Sequence, residues 1–253
     1  MSTKMMGAVC LTALFAVSAF AQTADELIAK SIQAQGGADK MKAMQSVKMS
    51  GKIKMGPMEA PFVITKARPE QMRMDFTIQG MTATQAFDGS NGWMVMPFQG
   101  KKDAVKMPED MVKAFRDEAD FDGPMIDYKT KGNKVEYIGK EDVQGSPAYK
   151  LKVTTKSGAE SMVFLDADSS LPIRIEGKRK MQGTDVETET TIGDYKQVDG
   201  LMFPFSIESH PKGKPAGQSI AIEKVEINSK IDAASFVMPK AAEKPKEAEP
   251  KKQ

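Results

Sequence analysis

Long stretches of this chain alternate apolar and polar residues with a period of two, a pattern that suits half-buried antiparallel strands and little else. Met72, Met74, Phe76 and Ile78 share one face of such a stretch, with Arg73, Asp75, Thr77 and Gln79 on the other. Val47, Met49, Ile53 and Met55 alternate in the same way with Lys48, Ser50, Lys52 and Lys54, and Gly56-Pro57 then turns the chain. Residues 58–66, 81–87 and 93–98 continue the series, the last two joined by the turn Asp88-Gly89-Ser90-Asn91-Gly92. Further strands are predicted at 134–140, 148–155, 161–166, 173–180, 186–195, 202–209 and 219–228. No strand-helix-strand alternation of the parallel kind is present.

Helices interrupt this pattern in two places. Thr23 and Glu26 have the spacing of a capping box, and Leu27, Ile28, Ser31, Ile32 and Gln35 follow at helical spacing until Gly36-Gly37. A short second helix is predicted from Ala38 to Met44. Between the fifth and sixth strands, Pro108 opens a stretch in which Met111, Val112, Phe115 and Ala119 recur on one helical face, with Glu109 and Asp110 in the first turn where they favour the helix dipole. The expected fold is mainly β with helices: one strongly curved antiparallel sheet of roughly eleven to twelve strands, partly covered by helices.

The first 21 residues read as a cleavable signal peptide. Lys4 supplies the positive region, Met5 to Phe20 the apolar run, and Ala19-Phe20-Ala21 the small-residue cleavage pattern. An apolar run of sixteen residues with no basic cluster after it is short for a membrane anchor. Cys10, with only nine residues before it, lacks the context for lipid attachment. Cleavage after Ala21 leaves 232 of the 253 residues, a periplasmic localisation, no cysteine, and a formal charge of +1 in place of +2. Neither disulfides nor thiolate chemistry is then available, and the near-neutral, interspersed charge offers nothing to nucleic acid. Residues 22–239 form the expected domain, and 240–253, built only of Lys, Ala, Glu, Pro and Gln, read as a disordered tail.

Candidate chemistry is sparse. His210 is the only histidine, set at a strand end in Ser209-His210-Pro211 and read as a surface residue. The usual zinc, haem and Cys/His nucleophile constellations therefore lack their members, and no phosphate loop or Gly-x-Ser-x-Gly elbow occurs. The expectation is a protein with no catalytic residues, no cofactor and no metal.

Methionine is conspicuous, with seventeen of the twenty lying beyond residue 21, many on the apolar faces of strands. A flexible, polarisable side chain can repack around ligands of different shape, which favours an adaptable apolar cavity, while an ordinary core rich in Met stands as an equal reading. The pairs Met41/Met44, Met72/Met74 and Met94/Met96 also raise Cu(I) binding through thioethers, although they keep the sheet's alternation and no histidines accompany them.

Residues 63–98 carry a signature: Lys66-Ala67-Arg68-Pro69, a strand, Asp88-Gly89, Trp93, then Pro97-Phe98. This resembles the LolA-like family of periplasmic lipoprotein-sorting carriers. Met125-Ile126-Asp127-Tyr128-Lys129 and the closing Ile231-Asp232 to Phe236-Val237-Met238-Pro239 are similar to other lipoprotein-sorting relatives. The resemblance implies an unclosed antiparallel β-barrel with a helical lid, whose apolar cavity takes up acyl chains of lipoproteins or other lipids and moves them towards the outer membrane. By the same resemblance Arg68 would hydrogen-bond to the lid and hold the empty cavity shut. Met72 and Met74 fall where the family has aromatic rings, a departure that allows a ligand other than a triacylated lipoprotein.

Combined with the strand periodicity, this gives an expected acyl-binding face of Phe62, Ile64, Met72, Met74, Phe76, Ile78, Met94 and Met96, and a lid of Arg68, Met111, Val112 and Phe115. Trp93 is expected to pack and close its hairpin. Expected partners are lipid acyl chains, an inner-membrane release complex and an outer-membrane acceptor, with the chain itself a monomer. A soluble envelope-stress sensor of the same fold, binding a membrane protein partner, is the rival reading.

Overall fold

In the computed structural model, the residues described are 22–239 except 182–183 and 215–216. The predicted signal peptide and the predicted tail lie outside them. The chain begins with α1 (Ala24–Ala34), whose capping box forms: the Glu26 amide donates to Thr23 Oγ1 at 3.2 Å and the Thr23 amide to Glu26 Oε2 at 3.1 Å. After α2 (Ala38–Ala43) come β1 (Ser46–Met55), β2 (Met58–Ala67), β3 (Gln71–Ile78), β4 (Met81–Phe87), β5 (Gly92–Met96) and β6 (Lys101–Lys106). Helix α3 (Glu109–Ala119) follows. The chain ends with β7 (Lys134–Val143), β8 (Ser146–Thr154), β9 (Glu160–Asp166), β10 (Pro172–Met181), β11 (Thr184–Val198), β12 (Leu201–Pro211) and β13 (Gln218–Ile227).

All thirteen strands among the described residues join one antiparallel sheet in the order β6-β5-β4-β3-β2-β1-β13-β12-β11-β10-β9-β8-β7. Strands β6 and β7 stand at opposite ends of that order, so the sheet curls without closing. The chain passes from one end to the other through α3 and residues 120–133. The thirteenth strand, β6, exceeds the expected number because Lys101-Lys102-Asp103-Ala104-Val105-Lys106 hides the alternation under charge. Charge is what an end strand needs, since it discourages pairing with another sheet edge.

Two helices cover one face of the sheet unequally. Leu27 and Ile28 of α1 pack on Leu151, Val153, Val163 and Leu165 of β8 and β9, making a closed core in which Leu151 and Val153 are fully buried. Gly36 ends α1 against the β11–β12 turn, where a Cβ would sit 2.4 Å from the Gly200 carbonyl oxygen. The backbone there is tied by the Met202 amide donating to the Gln35 carbonyl at 3.0 Å. Over β1 to β5 the apolar residues face inward with much less cover, and that region holds the candidate site.

Candidate functional site: an apolar inner face under a helix

Residues directly opposite each other on antiparallel strands share a face. Phe62 pairs with Phe76 and Ile64 with Met74 across β2 and β3; Met74 and Met94 both pair with Gln85 of β4. Met72 pairs with Phe87, and Ile78, two residues beyond Phe76, with Met81. These expected residues therefore line one surface, and Met96 lies two residues further along β5. Phe62, Met72 and Met96 are buried, whereas Ile64, Met74, Phe76, Ile78 and Met94 keep part of their surface in solvent.

The face extends beyond the expected residues. Met49 pairs with Ile64 on one side and Val225 on the other; Ile53 pairs with Ile220, which pairs with Ile207 of β12. Phe203, Phe205, Ile207 and Ile220 join Met49, Met55, Phe76 and Ile78 around the same cluster, all half-buried. The alternation Leu201, Phe203, Phe205, Ile207 is visible in the sequence, but its place beside β1 is not.

Helix α3 roofs the β3–β5 end of this face. Pro108 precedes it, and Glu109 and Asp110 occupy the first turn. Its apolar stripe, Met111, Val112, Phe115 and Ala119, packs on Met72, Phe87 and Met94 together with Met107. Gly92 makes room: a Cβ there would lie 2.8 Å from the Met107 sulfur and 3.0 Å from a Val112 methyl. On its other side α3 reaches the β8–β9 turn, where Ser157 Oγ donates to Asp117 at 3.4 Å.

Arg68, just past the end of β2, ties this roof down. Its Nη1 donates to Asp122 Oδ2 at 2.8 Å, its Nε to the Met44 carbonyl at 2.7 Å and its Nη2 to the Met41 carbonyl at 3.1 Å. The guanidinium also lies 4.7 Å from the centre of the Phe121 ring. The hydrogen bonds from Arg68 hold the Asp122 carboxyl below its ordinary range despite partial burial. Other ties secure residues 120–133: Lys131 Nζ to Asp120 at 2.7 Å, Lys42 Nζ to Asp127 at 2.6 Å, and Lys129 Nζ and Tyr128 Oη to Asp25 at 2.7 and 2.5 Å.

One charged residue stands on the inner face itself. Lys66 pairs with Val47 and Met72, and its ammonium donates to the Glu118 carbonyl in the last turn of α3. The residue keeps some surface in solvent, yet the crowding of its ammonium by protein pushes its pKa below the ordinary lysine range, against the opposing fields of Glu118 and Asp120.

Trp93 packs as expected, but on the outer face, opposite Ala86. It is 4% exposed, and its Nε1 donates to the Phe236 carbonyl at 2.7 Å. Phe236 is fully buried, and the neighbouring Ser235 carbonyl accepts from Arg73 Nη1 at 2.8 Å, so the C-terminal turn straps the outer wall. His210 is half-buried at the end of β12, with Nδ1 3.1 Å from the Pro211 carbonyl. A separate cavity of 810 Å³ is lined by Lys113, Lys150, Glu160, Met162, Glu176 and Lys212 among others, a mixed charged and apolar wall. Among the described residues no cluster of three or more His, Cys, Asp or Glu is placed to hold a metal ion.

Neither a protein-family model nor a curated protein sequence matches the chain. Solved structures do. A LolA superfamily protein from Nitrosomonas europaea superposes with a TM-score of 0.56 at 12% identity, over 86% of this chain and 98% of the other. The chain has the LolA-like fold. A DUF1329 family protein from Desulfovibrio piger gives 0.58 at 12% identity, over 84% and 96%. A candidate outer membrane lipoprotein-sorting protein domain from Vibrio parahaemolyticus gives 0.54 at 14% identity, over 83% and 97%. At such identities the likeness is one of fold, so the chemistry of the LolA-like inner face has to be read from this chain's own residues.

Proposed function

We propose that the protein is a periplasmic carrier that takes acyl chains of lipoproteins or other lipids onto the inner face of β1–β5, β12 and β13, beneath α3, and moves them towards the outer membrane. The observation that carries this reading is a broad, half-buried surface of Met, Phe and Ile on one face of the sheet, roofed by a helix whose following segment Arg68 ties down through Asp122. A LolA-like fold shared with a candidate lipoprotein-sorting domain supports it.

The physical logic is an exchange. An acyl chain of about fifteen methylenes gains roughly 12 kcal/mol on leaving water. Loading displaces Met111, Val112 and Phe115 from Met72 and Met94, which offsets part of that gain. The net affinity is then moderate and reversible, as a carrier requires. Met side chains accommodate the incoming chain by changing rotamer rather than backbone. Arg68 sets the balance between shut and open, because its bond to Asp122 breaks when the lid lifts while its bonds to the Met41 and Met44 carbonyls persist. No covalent step belongs to this function.

Native mass spectrometry of the purified 22–253 chain, with lipid extraction, tests the reading before and after incubation with acylated peptide. Bound lipid or acyl peptide is the expected result, and Met74→Glu should abolish it while circular dichroism stays unchanged. Failure of the wild-type chain to retain any acyl species would contradict the proposal.

A further inference from the structure

Lys66 sits where an acyl-binding face has no obvious use for a cation. Its neighbours on that face are Val47 and Met72, with Ile64 two residues before it on the same strand. In the shut state the ammonium is satisfied by α3, because it donates to the Glu118 carbonyl at the helix's negative end. The carboxylates that face it, Glu118 and Asp120, belong to α3 and the segment after it, and Asp120 is bridged to Lys131 of that segment. Asp122 is held by Arg68. Strand β2 stays in the sheet when the lid lifts, whereas the Glu118 carbonyl and these carboxylates leave together.

An open lid therefore strips Lys66 of its acceptor and leaves a cation at the edge of an apolar surface. Where acyl chains then cover the face and exclude water, a charge without a partner is unfavourable, so the loaded state favours an anion in place of the helix carbonyl. We infer that Lys66 receives the negatively charged head of the ligand, so that the carrier proposed above selects acyl chains ending in a carboxylate or phosphate over uncharged lipids. The inference rests on that carrier reading and narrows it: the cargo is an anionic amphiphile, a fatty acid or an acidic phospholipid. The same lysine then couples release to loading, since it trades the helix carbonyl for the head group and back.

Displacement of the neutral fluorophore N-phenyl-1-naphthylamine from the 22–253 chain provides the test, with palmitate against hexadecanol as one pair and phosphatidylglycerol against phosphatidylcholine as the other. A charge-assisted bond predicts a preference of about tenfold or more for the anionic member. A preference in the first pair identifies a fatty acid as the source of the anion, and one in the second alone identifies a phospholipid. Lys66→Met should keep fluorophore and hexadecanol binding and lose the preference, and Lys66→Arg should retain it.

Equal affinity for both members of both pairs in the wild-type chain would overturn the inference and leave the carrier reading intact. No binding of the fluorophore or of any lipid would overturn both. A preference that survives in a folded Lys66→Met chain places the anion elsewhere and also overturns the inference. Should Lys66→Met not fold, the wild-type ratios together with Lys66→Arg decide.

Discussion

The two halves of the sheet are built from the same alternation and end in opposite states. Under α1, Leu151, Val153 and Leu165 are at most 1% exposed, and the cluster is made of Leu, Ile and Val with Met125 at its margin. Around β1–β5 the clusters contain Met41, Met44, Met49 and Met55, then Met72, Met94, Met107 and Met111, many of them only half-buried. Branched side chains with few rotamers make a fixed core. Unbranched thioethers make a surface that can be refilled. On the carrier reading proposed above, the first half supplies stability and the second supplies loading, and the methionines gathered in the second are the side chains that would repack around a ligand.

That division predicts a graded series. The largest effect is expected for Leu151→Ala, about 3 kcal/mol of unfolding free energy by urea titration, with acyl loading at low denaturant unchanged. Met74→Ala, on a half-exposed side chain, should lower stability by only about 1 kcal/mol and weaken loading. A larger loss of stability for Met74→Ala than for Leu151→Ala would erase the distinction.

Arg68→Met should destabilise the closed lid by about 2 kcal/mol, since it removes a half-buried bidentate partner of Asp122. Hydrogen exchange of α3 and residues 120–133 should accelerate, with α1 unaffected. The same contact has a pH signature. The Asp122 carboxyl is depressed in the folded chain, so its stabilisation is complete above the ordinary carboxylate range and is lost as pH falls through the lowered value. Protection factors of the lid amides in the wild-type chain, which remove the intrinsic pH dependence of exchange, should thus be flat from pH 7 to about pH 4 and fall below it, a step absent from Arg68→Met.

Gly92→Ala places a methyl against Met107 and Val112 and should lift α3 at an expense of about 1 kcal/mol, read as faster exchange in the helix without loss of the sheet. The smallest effect on loading belongs to the outer wall: Trp93→Phe strands the buried Phe236 carbonyl, about 1–3 kcal/mol of stability, and should leave loading untouched.

Much of this molecule is legible along the chain. The capping box at Thr23 and Glu26, the internal helix after Pro108, and the shared face of Phe62, Ile64, Met74 and Phe76 all follow from local periodicity, because neighbouring hairpins preserve it. Strand β6 escapes notice because an end strand is selected for charge rather than alternation. The contribution of Phe203, Phe205 and Ile220 escapes for another reason: β1 pairs with β13, and no local pattern encodes a partner so distant in sequence. The outer strap at Phe236 and the inward lysine at position 66 are tertiary facts of the same kind. Lys66 does fall in the apolar row of β2 by simple counting from Phe62 and Ile64, and that parity was the available signal.

Photolabelling with a diazirine-bearing palmitate, followed by peptide mapping, tests the central claim most directly. Labels are expected on Phe62–Ile78, on Met94 and on α3, and unlabelled palmitate should compete them away. Labels confined to the α1-covered strands β8 and β9, or to the outer wall around Trp93 and Phe236, would contradict the account.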